Sequence, residues 1–179
     1  MARMPKQKPG RSRQCYATPA EFIRAVENRF GALDFDLAAT ERNAKAKRFY
    51  TRRQNSLIRE WKPLHYHFWL NPPYGHIMPW SAKCESVASQ LTNDGAIYLL
   101  VPASVCSRWF ISHVWGKATV NFISPRLCFI RGEPYPKDLM LCEYKRQKPK
   151  PENMFVFLNW QTQTLINQKG LNYEYKRAA

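Results

Sequence analysis

The sequence predicts an α/β domain whose sheet is parallel in the middle and antiparallel at an edge. Three observations carry this reading. Short apolar runs alternate with segments of helical periodicity over the first two thirds of the chain. Strand-like runs then follow one another with only turns between them. Finally, 179 residues with 45% hydrophobic content suffice for one sizeable core and are too few for two.

Taken in order, residues 1–14 hold five basic side chains and no acid, together with Pro and Gly, and read as a flexible basic arm. A single domain is expected over residues 15–165 and a polar tail over 166–179. Thr18-Pro19-Ala20-Glu21 has the form of a capping box with Pro at the first helical position. Phe22, Ile23, Val26 and Phe30 make the apolar stripe of the helix that follows, and Gly31 ends it. Residues 33–37 alternate apolar side chains with Asp34 and Asp36, as a short strand does. Residues 41–62 are strongly basic. Residues 66–70 read as a buried strand, 79–93 as a helix closed by Gly95, and 96–101 as a strand buried on both faces. Ser107 is placed to cap a short helix that Gly116 ends. Residues 119–123, 127–130, 139–144 and 154–158 read as strands. The last two flank a basic turn, Lys145-Arg146-Gln147-Lys148-Pro149-Lys150.

Composition narrows the function classes. No apolar run approaches the roughly 20 residues of a membrane span, and the N-terminus lacks the apolar stretch of a signal peptide. The five cysteines are widely spaced, without a C-x-x-C pair, and read as reduced thiols in a cytoplasmic protein. His65 and His67 would share one face of a strand, but no cysteine or carboxylate nearby in sequence completes a site, so no metal is expected. A net charge of +15 points to a polyanionic partner. Nucleic acid leads anionic membrane here, because there is no basic amphipathic helix.

The chemically informative segment is Asn71-Pro72-Pro73-Tyr74, where a buried strand ends. In open α/β sheets, ligands bind at such strand ends. Two prolines stop strand pairing and fix the backbone. An Asn side-chain oxygen and a Pro carbonyl held this way suit an exocyclic amino group such as that of adenine, whose lone pair is delocalised into the ring. Each acceptor takes one N–H and favours a pyramidal nitrogen aimed at a methyl donor. The gain is one of position and electrostatics, without a general base. Tyr74 is placed to stack on a base that has left its duplex.

The segment resembles the catalytic motif of amino-methyltransferases. The wider pattern is similar to the phage-type, Dam-like DNA N6-adenine methyltransferases. Thr18-Pro19 matches that family's helix opening. Asp36-Leu37-Ala38-Ala39 matches its Asp-x-Ala-Ala segment, with Asn43 after it. Leu57 and Trp61, residues 71–75, Trp80, Leu100-Val101-Pro102-Ala103 and Arg108-Trp109 follow in the family's order. The resemblance covers roughly residues 15–130. The chain departs from it at Ser104-Val105, where many relatives have Arg-Thr, and over residues 132–150.

The resemblance implies a Rossmann-like S-adenosylmethionine-dependent methyltransferase fold. It also implies a catalytic set of Asn71, Pro72, Pro73 and Tyr74, and a cofactor pocket bordered by Thr18, Pro19, Asp36, Ala38, Ala39 and Asn71. For Asp36 and Thr18 the simpler roles of turn residue and helix cap stand beside these. The implied partner is double-stranded DNA, bound by a monomer or weak dimer. Arg48, Arg52, Arg53 and Arg108 are the expected phosphate contacts, and residues 48–53 or 131–150 the source of target choice. Relatives often modify adenine in GATC, which makes that the first target to test. Two other readings keep the fold: methylation of RNA adenine or of a protein glutamine, and a DNA-binding relative without catalysis.

Overall fold

The computed structural model describes residues 17–129, 137–167 and 172–173, so the expected basic arm lies outside the described residues. The elements are α1 (Ala20–Phe30), β1 (Phe35–Ala39), β2 (Arg48–Thr51), β3 (His67–Leu70), α2 (Met78–Ala88), β4 (Ala96–Pro102), α3 (Arg108–His113), β5 (Thr119–Ser124), β6 (Leu139–Tyr144), β7 (Phe155–Asn159), β8 (Thr164–Asn167) and β9 (Asn172–Tyr173). A 3-10 turn, Pro151–Asn153, precedes β7. The described strands form one sheet in the order β2-β1-β3-β4-β6-β5-β7-β8-β9.

The sheet is mostly parallel, as expected, but its antiparallel strands are not confined to the edge. β8 runs antiparallel to β7 near one margin. β6 is inserted between β4 and β5 and is antiparallel to both. Its burial explains that position, since five of its six residues are buried. Met140, Cys142 and Tyr144 join one core and Leu139 and Leu141 the other, which only an interior strand allows.

Alternation divides β4 in the same way. Ile97, Leu99 and Val101 pack with Cys84 and Val87 of α2, with Leu91 beyond it, and with Phe110 of α3. Ala96, Tyr98 and Leu100 pack on the opposite face with Phe22, Ile23 and Val26 of α1. The continuous apolar run of β4 is therefore that of a strand covered on both sides. Gly95 precedes it because the backbone there is pressed against another segment. A Cβ at Gly95 would lie 2.1 Å from the Leu64 carbonyl oxygen.

Several local expectations change. The capping box does not form: Pro19, not Thr18, is the N-cap of α1, and no side chain caps it. Thr18 is one residue too early, and its hydroxyl is used elsewhere. Ser107 is the N-cap of α3, but its hydroxyl donates to the Ser104 carbonyl at 2.6 Å instead of accepting from the helix. Strand β1 begins two residues later than expected. Residue 34 is held sideways by His67, whose backbone N–H donates to Asp34 Oδ2 at 2.8 Å. Helix α2 stops at Ala88. Leu91 stays in the core on a turn, where the backbone N–H of Thr92 donates to Leu64 O. In the segment expected as a strand at 127–130, only Cys128 makes a strand-like bridge, and residue 130 lies outside the described residues. β2 was hidden in the basic stretch, whose charge masks the Phe49-Tyr50-Thr51 strand.

Candidate active site

In the parallel set, β1 connects to β2 on one side, and the chain then returns to lay β3 on the other. This reversal makes the C-terminal ends of β1 and β3 the switch point of the sheet, the place where doubly wound sheets bind ligands. Ala38 and Ala39 close β1 there, and Asn71 directly follows β3.

Asn71 is half-buried, Pro72 buried, Pro73 exposed and Tyr74 half-buried. The backbone N–H of His76 reaches back to the Pro73 carbonyl at 3.4 Å, closing a turn that leads into α2. Tyr74 packs against both cores, so it sits where the sheet's two faces meet at its edge. The Asn71 Nδ2 donates to the Thr18 hydroxyl oxygen at 3.1 Å across a separation of 53 residues. Thr18 is 1% exposed. The segment leading into α1 is thus tied to the turn after β3, and Pro19, half-buried, stands beside that tie.

Asp36 is also buried. Its Oδ1 accepts from the Ala38 N–H at 3.1 Å and its Oδ2 from the Lys45 N–H at 3.0 Å. Burial pushes its carboxyl up to about 6, partly opposed by those two hydrogen bonds and by the Lys45 charge. Burial in turn pulls the Lys45 ammonium down, against the pull of Asp36. Both carboxylate oxygens therefore face backbone donors. They fold residues 38–45 into a loop that carries the chain back without a helix. Asn43 helps, since its Oδ1 accepts from the Thr40 N–H at 2.6 Å and the Thr40 hydroxyl at 2.8 Å. The turn role of Asp36 and the loop role of Asn43 are what the hydrogen bonds show.

The expected basic contacts separate. Arg52 and Arg53 are exposed just after β2, at the edge that holds Asn71. Arg108, exposed, opens α3 shortly after β4 ends at the same edge. Arg48 does not join them. It pairs with Phe35 at the start of the parallel strands, so it lies at the opposite edge. There its guanidinium donates to the Tyr66 hydroxyl and lies 5.4 Å from that ring's centroid. The stretch 131–150 also divides. Residues 131–136 lie outside the described residues, and β6 is interior. The basic turn 145–150 leaves β6 at the far edge, because Tyr144 is level with Ile97 near the start of β4.

A clasp that the sequence did not suggest holds the loop after β2. Lys83 of α2 donates through Nζ to the carbonyls of Ser56 at 2.9 Å, Leu57 at 2.8 Å and Arg59. The same ammonium lies 5.1 Å from the centroid of the Trp61 ring. The Trp61 indole N–H is shared between the Ser56 carbonyl at 2.9 Å and its hydroxyl at 3.0 Å. Burial holds the Lys83 ammonium below its usual range, with Cys84 and Glu60 opposing that. In sequence Lys83 is one polar residue on a helix, and its partners are 24 to 27 residues away, so no local pattern reveals it.

Among the described residues, no group of three or more His, Cys, Asp and Glu is placed to hold a metal ion. His65 and His67 turn to different neighbours: His65 packs edge-on against Tyr66, and His67 Nε2 meets the Asp94 carbonyl at 3.0 Å. No helix among the described residues is long and apolar enough to cross a membrane.

A doubly wound sheet with an Asn-Pro-Pro-Tyr turn at its switch point belongs to the Rossmann-like methyltransferase class. Within it, the chain is a member of the family described as DNA N-6-adenine-methyltransferase (Dam), whose sequence profile matches residues 6–170. It is similar to the DNA N-6-adenine-methyltransferase of Escherichia phage T1, with 32% identity over 140 residues, 70% of this chain and 57% of that protein. The match thus spans little more than half of the phage T1 protein's length. It is also similar to the protein of the same description from Haemophilus phage HP1, with 26% identity over 144 residues, 79% of this chain and 77% of that one. Among solved structures, a protein described as a predicted O-methyltransferase from Agrobacterium tumefaciens shares 13% identity with a TM-score of 0.42. That match covers 80% of this chain and 85% of that one.

Proposed function

We propose that the chain transfers a methyl group from S-adenosylmethionine to the N6 amino group of adenine in DNA, acting on a base turned out of the duplex. The observation that supports this best is the Asn71-Pro72 turn at the switch point, with the Asn71 amide held through its nitrogen by Thr18. In this reading the Asn71 side-chain oxygen is one acceptor for the amino group. The Pro72 carbonyl supplies the second acceptor. Together they accept hydrogen bonds from the two amino N–H groups and stabilise the positive charge that grows on the nitrogen as the N–CH3 bond forms and the S–CH3 bond breaks, the surplus proton passing to water. Tyr74, wedged at the sheet edge, gives the base a surface to stack on.

The residues at the end of β1 fit the cofactor. Ala38 and Ala39 put no bulk at the switch point, and Asp36 sets the loop beside them while adding negative charge suited to a cationic sulfonium. When bound, S-adenosylmethionine supplies an electrophilic methyl group. Pro19 and Thr18 border the same switch point. Arg52, Arg53 and Arg108 hold the DNA phosphates at this edge, and the loop bearing the first two is kept in place by Lys83.

The test is direct. The protein is incubated with labelled S-adenosylmethionine and plasmid DNA, the DNA is digested to nucleosides, and modified positions are mapped by sequencing, with GATC examined first. Label in N6-methyladenine is the expected result. Label confined to RNA adenine or to protein glutamine would replace this reading, and no transfer together with retained DNA binding would leave a binding protein.

A further inference from the structure

We infer that Ile58 is the side chain that enters the base stack: carried on a loop already fixed before DNA binds, it fills the space that the turned-out adenine leaves. The inference rests on the proposed adenine chemistry and adds to it the residue that meets the interior of the duplex.

Ile58 is 76% exposed, more than any other large apolar side chain among the described residues. A single exposed aliphatic group is ordinary on a protein surface. What sets this one apart is its frame. The Lys83 ammonium has three N–H donors, and it spends them on the carbonyls of Ser56, Leu57 and Arg59. The backbone is thus held just before and just after Ile58. Its own N–H donates to the Asn55 carbonyl at 3.0 Å. The rest of the loop closes on itself. The Thr51 N–H donates to Gln54 Oε1 at 2.8 Å, and Arg59 Nε donates to the Gln54 carbonyl at 3.3 Å. Ser56 is buried against the Trp61 indole. A loop fixed in this way presents Ile58 to solvent and loses little freedom on binding.

The position of the loop supplies the partner. It starts at Thr51, which is level with Ala39 at the Asn71 edge, and its next two residues are the exposed Arg52 and Arg53. Arginines meet phosphate oxygens, whereas an aliphatic side chain among them gains only from contact with bases. Turning one base out of a duplex uncovers the apolar faces of the pairs on either side of it. An apolar wedge between those faces replaces part of the lost stacking. Arg52 and Arg53 bring the loop to the backbone, and Ile58 acts between the bases.

Because Ile58 is exposed, Ile58→Ala should unfold in urea at the parental midpoint. On a duplex carrying the mapped target, single-turnover methyl transfer by Ile58→Ala should be about tenfold slower than by the parent. A mismatch opposite the target adenine makes the base easier to turn out, so on that duplex the variant should come within about twofold of the parent. Ile58→Leu should keep most of the rate on both. A second readout needs no turnover: 2-aminopurine at the target position, which brightens when it leaves the stack. Its fluorescence should rise when the parent binds, and most of that rise should be lost with Ile58→Ala.

Parental rates in Ile58→Ala on the paired duplex would overturn the inference, as would equal losses on the paired and mismatched duplexes, or an undiminished 2-aminopurine signal with the variant. Failure of the proposed function has a different signature: the parent itself would methylate neither duplex, and the role of Ile58 would fall with it.

Discussion

Asn71 follows the end of β3 and Asp36 lies within the adjacent β1, level with Trp69, yet they are used in opposite ways. Asn71 is half-buried, its amide nitrogen bonded to the Thr18 hydroxyl, and the proposed reaction assigns it to chemistry. Its replacement by Ala should lower methyl transfer by at least about a hundredfold. DNA affinity, measured by fluorescence anisotropy, should be unchanged, since Asn71 contacts no phosphate in the proposed complex. Asp36 is buried with both oxygens committed to backbone donors. Its carboxyl is raised from 3.8 to about 6, so between those values the folded protein holds more protons than the unfolded chain. Stability therefore falls as pH rises through that window. In Asp36→Asn that pH dependence is gone. The stability of the parent relative to this variant should drop by about 2 kcal/mol between pH 4 and 7, most of what two pKa units imply. Urea unfolding at several pH values checks it, and a constant difference would contradict the buried carboxylate. At this scale the Asn71-Pro72-Pro73-Tyr74 turn after β3 was legible in the sequence, because an apolar strand stopped by two prolines is a local pattern. The tie from Thr18 was not, because it spans 53 residues and Thr18 has a ready alternative meaning as a helix cap.

The elements that carry charge to the candidate site are set by packing as much as by composition. Arg52 and Arg53 reach the Asn71 edge because β2 runs parallel to β1, and Arg48, four residues earlier than Arg52, is carried to the opposite edge by the same strand. Replacing Arg52 and Arg53 together with Ala should weaken DNA binding and reduce the slope of log affinity against log salt by about 2. Arg48→Ala should leave that slope unchanged; equal effects of the two changes would mean the duplex lies elsewhere. The joint between α2 and β4 offers a test of packing. Gly95→Ala forces a methyl group against the Leu64 carbonyl oxygen, a backbone atom that cannot rotate away. It should cost about 3 kcal/mol, at the upper end for overpacking, and appear as a lower midpoint in urea unfolding. Most elements were legible from apolar periodicity. β2 was not, because a four-residue strand at a sheet margin buries too little to leave a hydrophobic signature in a cationic stretch. The Lys83 clasp left no signature either, since a lysine that neutralises carbonyl dipoles looks in sequence like any solvated helix residue.

For the whole molecule, among the described residues, basic side chains stand at both ends of the strands, with Arg52, Arg53 and Arg108 on the Asn71 side and Arg48 and the 145–150 turn on the opposite one. Alternating helices and strands made the fold class readable, but not the order of the strands. That order depends on which strands need cover on both faces, and the buried run of β6 resolved it only once its neighbours were known. Because β6 runs against the parallel strands, the exposed turn at residues 145–150 emerges on the side away from Asn71. This makes the turn a natural attachment point for engineering. A fluorophore, an affinity handle or a sequence-reading module spliced between Arg146 and Lys148 would project from the back of the molecule. Such a fusion keeps clear of the Asn71 side, and it gives the proposed methyltransferase a means of being delivered to a chosen place on DNA.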